Sequence, residues 1–415
     1  MKFLLAIVII AVIALIGTRI TFLNRRLPMG FRNILLTGVE YIFIGAILGS
    51  MGINLIDAES LNAFEPFLLF GLSWVGFLFG LQFEIRLLRK LPRFYFSITA
   101  IQATITFIII TSSTFFILNY LIGISSPSNI IASVALGCIG SCSAQSAIAI
   151  VSQNYRFQHK ELIDLMRYIS SVDGIFALIF FSIALCILPN QDQIEINASL
   201  SLYWIIKTAF LGIIPALILI ILSKTRFTQA EFLVFVIGSV MFSGGLAFQL
   251  HHPPLISGLI CGVLTANLCR HRVRALTTAI TAEKSIYIIL LIIVGAGWNF
   301  EITTVLLLAI GYWLFRVIGK LIGNYAATRI FKPKYSVPPM IGFGLLSEGG
   351  LAIAIILSLQ LLHAAVADYL ITVIILSVIV NELISPRLIL AQFKNAKLIP
   401  AKKKWGDIDQ PESKT

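Results

Sequence analysis

Gly80-Leu81-Gln82-Phe83-Glu84-Ile85 closes one apolar run of the chain, and Gly297-Trp298-Asn299-Phe300-Glu301-Ile302 closes another far downstream. One such match could be chance, but a second pair keeps the same offset. Gly45 and Gly49 lie in the apolar run before the first copy, and Gly258 and Gly262 in the run before the second. Small residues four apart let helices approach closely. The offset is seven apolar runs, an odd number, so the two copies cross a membrane in opposite senses. This is the pattern of an inverted-topology repeat, which is typical of secondary transporters that bind their substrate near the bilayer midplane.

The composition requires a membrane. Of 415 residues, 58% are hydrophobic and 12% charged, against about 25% charged in a soluble domain. An ordinary cytosolic enzyme is excluded, because too little polar surface remains to cover the apolar mass. Taking stretches of about 17 to 25 apolar residues as spans predicts thirteen, at 3–17, 33–53, 67–83, 94–122, 129–152, 168–188, 202–222, 232–250, 254–268, 284–298, 303–325, 338–361 and 366–390. The fold class predicted is an all-α polytopic membrane protein. A transport domain covers 1–392, with repeats at about 1–190 and 230–392 and a linker helix at about 201–222. A short basic tail covers 393–415.

The net charge of +12 reflects topology and gives no reason to expect a nucleic-acid partner. Alternate loops carry Arg19, Arg25, Arg26 and Arg32; Arg86, Arg89, Lys90 and Arg93; Arg156 and Lys160; Lys224 and Arg226; Arg270, Arg272 and Arg274; and Arg329, Lys332 and Lys334. The intervening loops hold Asp57, Glu59, Glu65, Asp192, Glu195 and Glu301 instead. The positive-inside rule places the N-terminus outside and the C-terminus in the cytoplasm. Lys207, near an outer boundary, is expected to snorkel. Lys402-Lys403-Lys404-Trp405 in the tail suits an anionic inner leaflet or a solvated end. The five cysteines have no metal-ligand or paired spacing.

Chemistry is expected where spans are interrupted or charged. Span five reads Gly137-Cys138-Ile139-Gly140-Ser141-Cys142-Ser143-Ala144-Gln145-Ser146, and span twelve reads Gly342-Phe343-Gly344-Leu345-Leu346-Ser347-Glu348-Gly349-Gly350. Both suit helices broken in mid-membrane, whose freed carbonyls bind ions; the alternative is close packing through small residues. Six ionisable residues fall inside spans: Glu40, Asp173, Arg316, Lys320, Glu348 and Glu382. Each is a candidate because a charge in hydrocarbon costs several kcal/mol unless paired or hydrated.

Asp173, about 9 Å into span six at 1.5 Å per residue, can hold a proton or a dehydrated cation, or can be a hydrogen-bonded structural carboxyl. Lys320 either alternates between pairing with Asp173 and releasing it or snorkels to the inner interface. Arg316, one turn away on the same face, is expected to pair with Glu348 or with Glu382. Glu348 can close the cation site or neutralise dipole ends, Glu382 beside Asn381 reads as structural, and Glu40 can line an inner entrance.

Four places resemble the monovalent cation/proton antiporters, specifically the sodium(potassium)/proton exchanger domain of that superfamily's second branch. They are Phe79 to Ile85 with its basic sequel; Ala135-Leu136-Gly137 through Ser143-Ala144 to Ile150-Val151; Val172-Asp173; and Val317 to Gly323 ahead of Gly342 to Ala354. The resemblance implies thirteen spans, two crossed broken helices formed by spans five and twelve, and a core domain that slides against a dimerisation domain. It makes Asp173 the essential carboxylate and the site of the monovalent cation, and Lys320 its basic partner. The residue before the carboxylate, commonly acidic in the family, is Val172, so a second acidic ligand is absent unless Glu348 compensates.

The function expected is monovalent cation (Na+ or K+)/proton antiport in a bacterial-type inner membrane. Ser143, Gln145 and broken-helix carbonyls, with Ser141 in support, would replace part of the ion's hydration shell. No cofactor and no enzyme activity are expected. Na+ or K+, H+ and membrane lipid are the expected partners, with a homodimer by resemblance and a separate regulatory subunit as a further possibility. Two other classes stay open: a sodium-coupled organic-anion carrier of the same architecture, and a cation-efflux channel or its membrane subunit.

Overall fold

The computed structural model describes residues 2–20, 29–89, 92–124, 126–155, 160–187, 198–298, 303–332, 337–338 and 340–395. Among the described residues every regular element is a helix. In hydrocarbon an α-helix satisfies its own backbone polar groups, so long apolar segments fold this way. In order the helices are α1 (Lys2–Ile20), α2 (Met29–Thr37), α3 (Glu40–Leu48), α4 (Ala58–Ala63), α5 (Glu65–Leu81), α6 (Ile85–Leu88) and α7 (Arg93–Phe116), which continues in a π-helical turn (Ile117–Ile122). Then come α8 (Ser128–Ser141), α9 (Ser146–Asn154), α10 (Lys160–Ile187), α11 (Ala198–Leu222), α12 (Gln229–Gln249), α13 (Pro254–Leu268), α14 (Arg272–Ala296) and α15 (Thr303–Phe331). A 3-10 turn (Ile341–Leu345) precedes α16 (Gly350–Leu362) and α17 (Ala364–Asn395).

Among the described residues, seven segments are long and apolar enough to cross a bilayer, and five further apolar helices are shorter, at 10–17 residues. Their outward faces are apolar, as Leu5, Val8, Val12 and Leu15 on α1 and Phe210, Leu217 and Ile221 on α11 show. Such faces suit lipid and would be costly in water.

Glycine sets the closest packing. A Cβ on Gly45 or Gly49 of α3 would strike the carbonyl of Ile292 or Ala296 of α14, and one on Gly295 would strike that of Ile42. The same relationship joins α5 to α13, where Gly76, Gly80, Gly258 and Gly262 face the carbonyls of Leu255, Leu259, Ser73 and Phe77. The glycine faces read from spans two and nine therefore do not meet each other. Each packs against the neighbour of its counterpart, span two on span ten and span nine on span three.

Several boundaries differ from the hydropathy reading. Span two is not one run over 33–53, because Gly38 at φ +79° ends α2 and α3 starts afresh at Glu40. Span six starts at Lys160, so Asp173 stands about 20 Å along its helix at 1.5 Å per residue instead of about 9 Å. Hydropathy missed this because Glu161, Asp164 and Arg167 lie in the added turns; Asp164 and Arg167 are exposed beside the buried Leu165 and Met166. The last helix runs to Asn395, beyond the expected edge at 392. Arg25, Arg26, Lys90, Arg156, Asp192, Glu195, Lys334, the repeat half 299–302 and the tail 396–415 with Lys402 to Trp405 lie outside the described residues.

Two apolar segments lose helical form partway. Residues 142–145 separate α8 from α9, and residues 346–349 separate the 3-10 turn from α16. These two interruptions meet: Ala144 N donates to Ser347 O at 2.8 Å. α16 behind them is buried from Leu351 to Leu359.

Candidate functional site

The first interruption presents its polar groups to α10 and α15. Asp173 of α10 and Lys320 of α15 are both fully buried. Asp173 Oδ1 accepts from Ser143 N at 3.1 Å, and Oδ2 accepts from Ser143 Oγ at 2.6 Å. Lys320 Nζ reaches Oδ2 at 3.1 Å, Ser143 Oγ at 2.8 Å and Ser141 O at 2.6 Å. An ammonium has three donors, and all three are used. A buried charge is tolerated only when paired and hydrogen-bonded, and here each partner meets that condition for the other. Lys320 therefore does not snorkel: it points inward to a carboxylate and two oxygens of the interruption.

One helical turn earlier on α15, Arg316 joins the two interruptions. Its Nη2 donates to Cys142 O at 3.0 Å, its Nη1 to Leu346 O at 2.6 Å, and its Nε lies 3.1 Å from Glu348 Oε1. Carbonyls at the C-terminal ends of helical segments carry partial negative charge. A planar guanidinium with donors on both sides neutralises the two ends together. Of the two carboxylates expected as its partner, Glu348 is the one it pairs with.

Glu348 is fully committed. Besides Arg316 it accepts from Tyr312 OH at 2.7 Å, Ser377 Oγ at 2.7 Å and Asn381 Nδ2 at 3.0 Å. It makes none of the hydrogen bonds at Asp173, so it does not act as the second acidic ligand there. Gln145 is likewise not brought to Asp173, because it is exposed and its amide bonds to Ser171 of α10. Glu382 accepts from Ser347 Oγ and Ser146 Oγ, and Asn33 of α2 also donates to it. Glu40, partly exposed at the start of α3, makes none of these hydrogen bonds. Lys207 lies over the rings of Tyr203 and Trp204, 5.8 and 5.6 Å from their centroids.

Tyr312, Ser377 and Asn33 were not singled out by sequence reasoning as parts of these networks; carbonyls of the interrupted segments were expected as ion ligands, and those of Ser141, Cys142 and Leu346 here accept from Lys320 and Arg316. Some signal existed: Tyr312, Arg316 and Lys320 repeat every fourth residue, as do Ser377 and Asn381, and residues so spaced share a helix face. Nothing in the sequence marked Asn33, whose partner is on the last helix.

A many-helix membrane bundle with buried ion pairs at two interrupted segments defines a polytopic transporter. The sequence pattern described as "Sodium/hydrogen exchanger, transmembrane" matches residues 7–390, and the chain belongs to that family. It is a transmembrane cation/proton antiporter and not an enzyme. Among curated proteins none matches in sequence. Among solved structures, the chain is similar to the sodium proton antiporter MjNhaP1 from Methanocaldococcus jannaschii at pH 8. Identity there is 15%, the TM-score is 0.62, and 96% of this chain and 98% of that one are covered. An electron-microscopy map of the same antiporter gives 16% identity, 97% and 100% coverage and a TM-score of 0.62.

Proposed function

We propose that the chain exchanges a monovalent alkali cation, sodium or potassium, for protons by alternating access, with Asp173 holding proton and cation in turn. One observation carries this reading. Lys320 Nζ is bound by three oxygens, Ser141 O, Ser143 Oγ and Asp173 Oδ2. A partly dehydrated alkali ion needs the same kind of oxygen ligands. Ammonium and cation therefore compete for one set of atoms, and Lys320 must withdraw when the cation enters. When the cation leaves, Lys320 restores neutrality, so the buried carboxylate is never left unpaired.

The architecture proposed with it is a thirteen-span inverted repeat in which the interrupted segments are a crossed pair. The packing supports it: α3 on α14 and α5 on α13 are exchanged by a two-and-nine, three-and-ten correspondence, and α1 on α14 and α12 on α5 are exchanged once one and eight are paired as well. The N-terminus would lie outside and the C-terminus in the cytoplasm of an inner membrane, with two copies forming a dimer.

Liposomes with an imposed pH gradient and an internal pH dye test the function, with Na+, Li+ and K+ added in turn. Gradient dissipation by one cation, lost in Asp173→Asn and kept when the membrane potential is clamped, is the expected result. A response to no cation, or one unchanged in Asp173→Asn, would overturn the proposed mechanism.

A further inference from the structure

A cavity of about 280 Å³ opens at the end of the bundle where α10 and α16 stop and α11 and α13 begin. An apolar cavity of roughly 150 Å³ already holds a benzene-sized guest. The wall includes Ser182 and Ile183 of α10, Trp204 and Thr208 of α11, and His252 of the connection between α12 and α13. Asp173, Arg316, Lys320 and Glu348 take no part in it.

The wall suits hydrocarbon. Both hydroxyls turn their hydrogens back on their own helices, Ser182 to Leu178 O at 2.6 Å and Thr208 to Trp204 O at 2.8 Å. A hydroxyl has one hydrogen to donate, so at the 2.7 Å contact of Thr208 with His252 the imidazole Nδ1–H is the donor. The remaining wall is mostly aliphatic and aromatic. Ile179 and Ile183 line the cavity and are also 41% and 47% exposed on the outward face of α10. The cavity therefore opens sideways, towards the hydrocarbon of the bilayer, and the guest that can enter from there is an acyl chain.

A cation stands beside it. Lys207 Nζ lies 5.6 Å from the centroid of Trp204, a ring of the cavity wall, and 5.8 Å from that of Tyr203, which is 58% exposed. An ammonium held over ring faces keeps its N–H donors for another partner, and among the described residues no carboxylate forms an ion pair with it. We propose that the cavity and Lys207 together bind one anionic phospholipid, with an acyl chain in the cavity and the phosphate on Lys207. Tyr203 and Trp204 then stand where aromatic side chains gather in membranes, between headgroups and chains.

The position gives the lipid a consequence. The cavity separates α10, the helix that carries Asp173, from α11 and α13. A chain wedged there fills space that α10 needs in order to move against those helices. If alternating access is the mechanism, as proposed above, the lipid sets the rate of exchange; its binding does not depend on that reading.

Brominated lipids in liposomes of the full chain test the site independently of transport. Bromine on an acyl chain quenches a tryptophan that it touches, and the part of the fluorescence lost in Trp204→Phe belongs to Trp204. In phosphatidylcholine vesicles, brominated phosphatidylglycerol should half-quench that part at a mole fraction about fivefold lower than brominated phosphatidylcholine does, the effect of one lysine on an anionic lipid. The preference should vanish in Lys207→Gln, and Ala209→Leu, which fills the cavity from its wall, should reduce quenching by both lipids. Equal half-quenching by the two lipids in the parent would overturn the proposal, as would a preference kept in Lys207→Gln or quenching unchanged in Ala209→Leu. The comparison in the parent decides by itself should a variant not assemble.

Discussion

Lys320 Nζ lies 3.1 Å from Asp173 Oδ2, with both side chains shut off from the surface and both bound to Ser143 Oγ. The two residues and Ser143 behave as one unit, so their substitution effects should not add. In a double-mutant cycle of Lys320→Met and Asp173→Asn, thermal unfolding in detergent should give a coupling of about 1–3 kcal/mol. Additive effects would mean that the pair is not formed in solution.

Ser143 contributes one hydroxyl to the site. Ser143→Ala removes an acceptor from Lys320 and a donor to Asp173, a loss of about 1 kcal/mol for a single net hydrogen bond. The half-saturating cation concentration in liposomes should rise about fivefold, whereas Gln145→Ala should leave it within twofold. A larger effect at Gln145 would show that its amide turns from Ser171 towards the ion.

Arg316 is bound by two carbonyls and a carboxylate in a geometry that only a planar fork can meet. Arg316→Lys keeps the charge but cannot reach Cys142 O and Leu346 O together. Exchange should fall at least about tenfold, equivalent to about 1.4 kcal/mol in the barrier. Near-parental exchange in Arg316→Lys would show that charge alone suffices at this position.

The glycine contacts predict a position-dependent cost. Gly258→Val drives side-chain atoms into the Ser73 carbonyl and should destabilise by about 1–3 kcal/mol or more. Gly245→Ala, with nothing within 4 Å of the new Cβ, should stay within about 0.5 kcal/mol. Thermal unfolding of the two variants side by side checks the comparison.

In the connection between α12 and α13, burial lowers the His252 pKa to about 4 from its usual 6.5, with Lys207 and then His251 adding to the effect. The ring is neutral there and shares a 2.7 Å hydrogen bond with Thr208. The unfolded chain takes up this proton first, so the stability it supports is complete above pH 6.5 and is lost as pH falls towards 4. The melting temperature should drop over that window, and less steeply in His252→Gln. Identical slopes would place the histidine in contact with water.

Much of this was legible in the chain itself. Apolar runs longer than a bilayer core can only be helices that cross it, because hydrocarbon offers backbone groups no other partner. Glycine and serine packed into the stretches from Gly137 and Gly342 marked where those helices would be interrupted, and Asp173, Arg316, Lys320, Glu348 and Glu382 stood out because charge in an apolar run is costly. The start of α10 was not legible, since Glu161, Asp164 and Arg167 interrupt the hydropathy of a helix that nonetheless continues.

The pairing of those charges was decided only by the tertiary structure. Arg316 had two equally plausible carboxylates in sequence, and the meeting of the two interruptions at Ala144 and Ser347 gave it Glu348. Glu382 was then left with Ser146, Ser347 and Asn33, residues from three distant parts of the chain. Hydropathy and spacing act along one helix and identify which residues must be satisfied. Hydrogen bonds reach only about 3 Å, so which partner satisfies each one depends on which helices the close glycine packing brings side by side.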